Sequence, residues 1–193
     1  MLFRSNIGIR NGEWLKKELK GTELKGKYLG LIGCGNIGKR LGRLAKGLNM
    51  NIIGYDVIPI DEEFSKEVGL MKTDLDTLLQ SSDYVSLHVP LLDSTYHMID
   101  AKKLSLMKKT ACIINTSRGG VIDEDALFEA IKNGNFGGAA LDVFEKEPAI
   151  GNKLATLDNV ILTPHIGAQT KEAQSLAANV IAEKIIQILR GVI

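Results

Sequence analysis

Short apolar runs recur along the chain, each followed by a glycine-rich or polar turn and then a segment with helical spacing of its apolar residues. The runs at 27–33, 51–56, 83–89, 111–117, 138–144 and 159–165 are continuously apolar rather than alternating. That pattern belongs to strands covered on both faces of a parallel sheet. A weaker run lies at 69–72. Between the runs, helical spacing predicts helices over 37–48, 74–80, 101–107, 124–133 and 170–189. Regular strand–helix alternation predicts an α/β fold built on a doubly wound parallel sheet. No fixed-period repeat, low-complexity stretch or internal linker interrupts it.

The ends depart from this pattern. Residues 5–20 hold Gly12-Glu13-Trp14 and a lysine-rich run ahead of the first strand, and are expected to form an arm outside the sheet. In the last helix Ala177, Ile181, Ile185, Ile188 and Leu189 recur at helical spacing on one face. Such a face needs something to pack on: the arm, a further segment or a second copy.

Composition narrows the function classes. Hydrophobic residues make up 45% and charged residues 24%, so the chain has the apolar content of a folded core rather than of a disordered segment. Lys+Arg number 24 against 23 Asp+Glu, a net charge of +1, which argues against a nucleic-acid binder. The basic residues Lys16, Lys17, Lys20, Lys25, Lys27, Lys39, Arg40, Arg43 and Lys46 lack interleaved aromatics and are expected to be solvated surface. No window approaches the roughly 18 apolar residues of a spanning helix, so no membrane association is expected. The opening Met1-Leu2-Phe3-Arg4-Ser5-Asn6 lacks the apolar stretch of a secretory leader, and a cytoplasmic location is expected. Cys34 and Cys112 form neither a disulfide framework nor a C-x-x-C, so no metal site is expected.

Candidate chemistry begins at Gly33-Cys34-Gly35-Asn36-Ile37-Gly38, a G-x-G-x-x-G directly after a strand and opening a helix. The first glycine permits the tight turn, the second lets backbone approach a pyrophosphate, and the third lets helix and strand pack closely. The helix N-terminus offers free N–H groups to the phosphate. Such a turn alone is a weak sign. Asp56, at the end of the next strand, strengthens it, because a carboxylate there accepts hydrogen bonds from a ribose diol and repels a 2′-phosphate. Val57-Ile58-Pro59 follow instead of an arginine, so NAD rather than NADP is the expected cofactor.

Three ionisable residues lie at the carboxyl ends of later strands, the edge where open α/β sheets bind ligands. Arg118 stands in Asn115-Thr116-Ser117-Arg118-Gly119-Gly120, Glu147 in Glu145-Lys146-Glu147-Pro148, and His165 in Thr163-Pro164-His165-Ile166-Gly167. A guanidinium can hold both oxygens of a carboxylate. A histidine beside a carboxylate has a stabilised imidazolium and can donate a proton. With a nicotinamide, these are the parts needed to interconvert a 2-oxo acid and a 2-hydroxy acid. Taken singly, each residue has an ordinary surface role, and spacing does not separate Glu145 from Glu147. His97 is an unassigned lone histidine, and His88, inside a strand, is expected in the core or the cofactor wall.

The motifs Gly33–Gly38, Asp83–Leu91, Ile114–Gly120, Ala140–Phe144 through Glu147-Pro148, and Leu162–Gly167 together resemble the nucleotide-binding domain of the D-isomer-specific 2-hydroxyacid dehydrogenases, a Rossmann-type fold. They follow the family's order and cover essentially the whole chain. The resemblance implies Arg118 as the substrate-carboxylate residue, Glu147 as the histidine's partner, His165 as the acid/base and Glu145 as a surface residue. It implies NAD contacts from Gly33, Gly35, Asn36, Ile37 and Gly38 at the pyrophosphate and Asp56 at the ribose. Val89, Pro90, Thr116, Ser117, Arg118, Asp142, His165, Gly167 and Ala168 would lie around the nicotinamide half, with Asp142 on its carboxamide. It further implies an N-terminal arm or helix over 1–24 that serves dimerisation and as a hinge, with Trp14 buried across a two-fold interface, an NAD-binding domain over 25–168 and a returning helix over 169–193. The family's substrate-binding domain is expected to be largely absent. The implied substrate is a small 2-hydroxy or 2-oxo acid. Within the family the similarity is greatest to members acting on 3-phosphoglycerate, in serine biosynthesis. The alternatives are a glyoxylate or hydroxypyruvate reductase, an NAD-sensing binding protein like the related corepressors, and an inactive fragment that only binds NAD.

Overall fold

In the computed structural model, which describes residues 2–191, the apolar runs become seven strands. They are β1 (Tyr28–Ile32), β2 (Asn51–Tyr55), β3 (Met71–Lys72), β4 (Tyr84–Leu87), β5 (Cys112–Asn115), β6 (Gly138–Leu141) and β7 (Val160–Leu162). All pair in parallel in one sheet of order β3-β2-β1-β4-β5-β6-β7. β1 pairs with β2 on one side and β4 on the other, Leu29 lying opposite both Ile52 and Tyr84. The chain therefore builds outward in one direction and then in the other, which opens a crevice between the ends of β1 and β4. Because all strands are parallel, every connection from a strand end emerges on one edge.

The continuous apolar character has a direct cause. Successive side chains of a strand point to opposite faces. Leu29 and Leu31 enter one core with Ile52, Phe64 and Val68, while Ile32 enters the other with Val85, Leu87 and Ile113. Both faces are buried, so neither set is polar.

Among the described residues seven α-helices flank the sheet or extend from it: α1 (Leu2–Arg10), α2 (Asn36–Gly47), α3 (Glu62–Val68), α4 (Leu75–Ser81), α5 (Ala101–Leu106), α6 (Glu124–Lys132) and α7 (Lys171–Leu189). α1 lies in the N-terminal arm or helix expected over 1–24, whereas α3 has no counterpart among the expected helices. In α3 only Phe64 and Val68 carry the apolar spacing, too short a signal to register a period. The carboxylates of Asp61, Asp74, Asp100 and Asp123 cap α3 to α6, each accepting an N–H of the first turn, and the Thr170 hydroxyl caps α7. α2 differs: its cap is Gly35, which has no side chain to offer.

At the ends, residues 5–20 do lie outside the sheet, as α1 and a following turn. No residue of α7 is buried, so this chain supplies no cover for the face expected to pack. Trp14, expected to be buried across an interface, is 78% exposed in the single chain. No helix among the described residues is long and apolar enough to cross a membrane.

Candidate active site

The crevice begins where β1 ends. Gly33 takes φ +92, a conformation a side chain would strain, and a Cβ there would lie 2.7 Å from the His88 carbonyl oxygen. A Cβ on Gly38 would stand 2.2 Å from the Gly33 carbonyl oxygen. These two glycines let β1, the turn after β4 and the start of α2 close on one another. Gly35 is exposed with nothing within 4 Å of its Cβ position, so it leaves space above the helix end. With no cap, the N–H groups of Asn36, Ile37 and Gly38 are left for an anion, and Asn36 and Ile37 are exposed beside it. The Asp56 carboxylate accepts the Cys34 N–H at 2.7 Å and the Ile58 N–H at 3.1 Å, which fixes an acid beside the turn. A turn whose glycines are forced by backbone contacts, an uncapped helix end and a held carboxylate fit a dinucleotide. Burial, and then the Asp56 charge, push the Cys34 thiol up to about 12, so it stays protonated.

Val89 packs against Gly33, and Pro90 is exposed just beyond it, its carbonyl accepting the Thr95 hydroxyl at 2.6 Å. His88 donates its N–H to Ile32. Its ring lies against the glycine turn, and its buried Nε2 has no partner among the described residues. Burial pushes its pKa down to about 4, so the ring is neutral near pH 7.

Along the other half of the edge the site is made by side chains from three connections. After β5, Thr116 is exposed, while buried Ser117 gives both its N–H and its hydroxyl to Asn115 Oδ1 at 3.0 and 2.8 Å. Asn115 Nδ2 donates to the Arg118 carbonyl at 2.9 Å. This buried asparagine thus shapes the turn that presents Arg118. The Arg118 Nη1 donates to the Ser117 carbonyl at 2.7 Å, and no carboxylate among the described residues pairs with it. Gly119 passes so close to the next connection that a Cβ would sit 1.9 Å from the Phe144 carbonyl carbon. That approach brings the Arg118 turn beside the segment carrying Glu147.

His165 Nδ1 lies 2.9 Å from Glu147 Oε2, and Glu147 Oε1 accepts the Phe144 N–H at 3.1 Å. The hydrogen bond with His165 is the main reason the Glu147 carboxyl is held below the usual range. With Nδ1 directed to the carboxylate, Nε2 is the ring atom left for substrate. His165 itself has φ +53, an unusual conformation outside glycine. The strained loop is held by buried Asp142, whose Oδ1 accepts Thr163 Oγ1 at 2.5 Å and the Ile166 N–H at 2.9 Å. Its Oδ2 accepts the Gly167 N–H at 2.9 Å, and Ala168 follows, exposed. Burial opposes the Asp142 charge, but these three donors outweigh it and keep the carboxyl below its ordinary range.

A cleft of about 340 Å³ has Arg118, Glu147 and His165 in its wall together with Leu91, Tyr96 and Glu145. The geometry separates the two glutamates: Glu147 meets His165, whereas Glu145 meets His97 Nε2 at 3.1 Å. Glu145 is thus an exposed surface residue, as expected, and is partnered there by His97. Asn115 and Thr163 had not been singled out as site residues. A polar residue closing an otherwise apolar strand run was the available signal for Asn115. Among the described residues no three His, Cys, Asp or Glu side chains are grouped to hold a metal.

The family model described as "D-isomer specific 2-hydroxyacid dehydrogenase, NAD binding domain" matches residues 2–167. The chain is 49% identical over 189 residues to the D-3-phosphoglycerate dehydrogenase of Methanocaldococcus jannaschii, covering 97% of this chain and 36% of that protein. It is 47% identical over 197 residues to the glyoxylate reductase of Thermococcus litoralis, covering 98% and 59%. The D-lactate dehydrogenase of Aquifex aeolicus, solved with NAD and lactic acid, superposes with a TM-score of 0.90 at 36% identity, covering 98% of this chain and 62% of that one. The chain thus spans between about a third and three-fifths of the length of these relatives.

Proposed function

The chain belongs to the D-isomer specific 2-hydroxyacid dehydrogenase family, whose NAD binding domain it carries, and from that membership we propose that it is the cofactor-binding and acid–base half of an oxidoreductase acting on the CH–OH group of a D-2-hydroxy acid. The observation that carries this reading is the His165–Glu147 pair at 2.9 Å in one cleft with Arg118.

The cofactor, when bound, would supply the redox chemistry, its reduced form giving a hydride to C2 of a 2-oxo acid and its oxidised form accepting one from C2 of a 2-hydroxy acid. Gly33, Gly35, Asn36, Ile37 and Gly38 hold its pyrophosphate, and Asp56 holds the ribose diol. Val89, Pro90, Thr116 and Ser117 line the nicotinamide side, and Gly167 and Ala168 form the wall that Asp142 braces. Each Asp142 oxygen accepts hydrogen bonds within the loop, and Oδ2, with one, keeps capacity for a carboxamide. Arg118 binds the substrate carboxylate through its guanidinium and orients the C2 oxygen toward His165. In the reductive direction His165 gives a proton from Nε2 to that oxygen, and in the oxidative direction it takes one. Glu147 keeps the ring oriented and stabilises its charged form.

The substrate we favour is 3-phosphoglycerate, with glyoxylate or hydroxypyruvate next; the names of the similar proteins support both. The deciding experiment measures NADH oxidation by this chain, and by a longer polypeptide containing the rest of the relatives' length, across 2-oxo acids that include 3-phosphohydroxypyruvate. Turnover with one acid supports the reading. NADH binding, seen as enhanced nicotinamide fluorescence, with no turnover of any acid by either polypeptide would replace it with a binding role. We also propose a homodimer through the arm, supported by exposed Trp14 beside a hollow of about 300 Å³ lined by Ile9, Leu15 and Leu19. Light scattering would give twice the chain mass, falling to one in Trp14→Asp; a monomeric parent chain would overturn it.

A further inference from the structure

His97 lies beside the cleft and has no role in the chemistry above. The connection after β4 runs alongside the one after β5. His97 N–H donates to the Gly120 carbonyl at 2.8 Å, Ile99 N–H to Val121 at 3.2 Å, and Asp123 N–H back to Ile99 at 3.1 Å. Gly120 is two residues beyond Arg118. His97 adopts φ +48, and its ring stacks on Tyr96 with centroids 4.0 Å apart and planes 14° from parallel. From there Nε2 bonds to Glu145 Oε1 at 3.1 Å, while Nδ1 lies 3.9 Å from Asp123 Oδ2. The same Glu145 oxygen accepts the Glu124 N–H at 2.9 Å, and the Glu145 N–H donates to Glu124 Oε1 at 2.6 Å. Glu145 is two residues before Glu147. One histidine therefore bonds, by backbone and by ring, to the two connections that carry opposite parts of the cleft.

We propose that His97 is a positioning residue that clamps the Arg118–Gly120 turn to the Glu145–Glu147 segment, so that the substrate-carboxylate group and the proton donor keep a set spacing. Arg118 is long and exposed, and its guanidinium bonds only to the Ser117 carbonyl of its own turn, so its place follows that turn. The anchors are Asn115 on its carbonyl, Gly119 against Phe144, and His97 on Gly120. The first two act within the turn or by contact; His97 supplies a polar tie across close to Arg118, while the reciprocal Glu124–Glu145 bonds tie the same segment further along at the start of α6. His165 has further supports besides the clamp: Glu147 is fixed by the Phe144 N–H, and Asp142 braces the loop through the Ile166 N–H. Loss of the clamp should therefore weaken carboxylate binding more than proton transfer. The kinetic consequence rests on the proposed dehydrogenase function; the structural one does not.

The test compares His97→Phe, which keeps a ring for Tyr96 but cannot bond to Glu145, with His97→Gln, whose amide carries a donor near the place of Nε2. In the polypeptide that turns over a 2-oxo acid, His97→Phe is expected to raise KM for that acid roughly tenfold or more. Its kcat should stay within about threefold and its NADH affinity unchanged, and His97→Gln should restore KM. In this chain alone, amide hydrogen exchange should speed up over 118–122 and 144–147 in His97→Phe and remain unchanged over 33–38. Wild-type KM together with wild-type exchange in His97→Phe overturns the proposal. So does an equal loss of KM, kcat and NADH affinity in both variants, which marks a merely structural residue. If no 2-oxo acid is turned over by the parent polypeptide, the dehydrogenase reading fails, and exchange over 118–122 alone decides the role of His97.

Discussion

The two halves of the sheet's carboxyl edge are built on different principles. The half around β1 and β2 is made of backbone: two glycines that admit no Cβ, an uncapped helix end and one carboxylate bonded to a backbone N–H, all within Gly33–Asp56. The half around β5, β6 and β7 is made of side chains: Arg118, Glu147 and His165, each from a different connection. The first half depends on shape, and a single methyl group damages it. In the second, any one group can be removed with little effect on the fold, but the proposed chemistry requires all of them to converge. Gly119 and Asn115 tie the Arg118 turn into place for that convergence.

The contrast can be tested from its largest consequence downward. His165→Ala, in the polypeptide that turns over a 2-oxo acid, is expected to lower kcat by about two to four orders of magnitude with NADH affinity unchanged. Steady-state kinetics beside a fluorescence titration would show it, and unchanged turnover would remove His165 from the chemistry. On the backbone side, the His88 ring offers an acid test. Its folded pKa of about 4 lies below the ordinary value of 6.5, so between these values the unfolded chain takes up a proton that the folded one refuses. Stability is then complete above pH 6.5 and falls as the pH drops toward 4, by on the order of 3 kcal/mol. Denaturant melts should follow that course, and His88→Leu should flatten it.

A pair of glycine variants separates folding from binding. Gly38→Ala is expected to lose about 1–3 kcal/mol of stability from overpacking, and NADH affinity with it. Gly35→Ala meets no atom, so its melting should match the parent while NADH affinity falls as the pyrophosphate loses room. Equal melting of both variants would break the argument that only Gly33 and Gly38 are structural. The smallest expected effect is Asp74→Ala, which removes the α4 cap at a cost of about 1 kcal/mol and leaves both halves of the edge intact.

What could be foreseen from residues follows the same division. All seven strands lie within the apolar runs; burial on both faces leaves a continuous signal in the inner strands, while the exposed edge strand β3 left only the weaker run. The glycine turn and Asp56 were legible because they lie close in sequence and each has one geometric purpose. Arg118, Glu147 and His165 were visible as residues at strand ends, but nothing in spacing separated Glu147 from Glu145 or gave His97 a partner. Those assignments depend on which carboxylate a distant ring meets. α3 escaped notice because two apolar residues make no period, and Thr163 because a threonine facing a buried aspartate looks like any strand threonine.

The parallel sheet, the glycine cradle with Asp56, and Arg118 and His165 as residues at strand ends are encoded in local pattern or residue type, and so could be read from the chain. The pairings could not, because they arise only on folding: Glu147 rather than Glu145 with His165, Glu145 with His97, Asp142 with the loop that carries His165. These join residues far apart in the chain. Their choice follows from where close backbone contacts such as Gly119 against Phe144 let the strand connections meet.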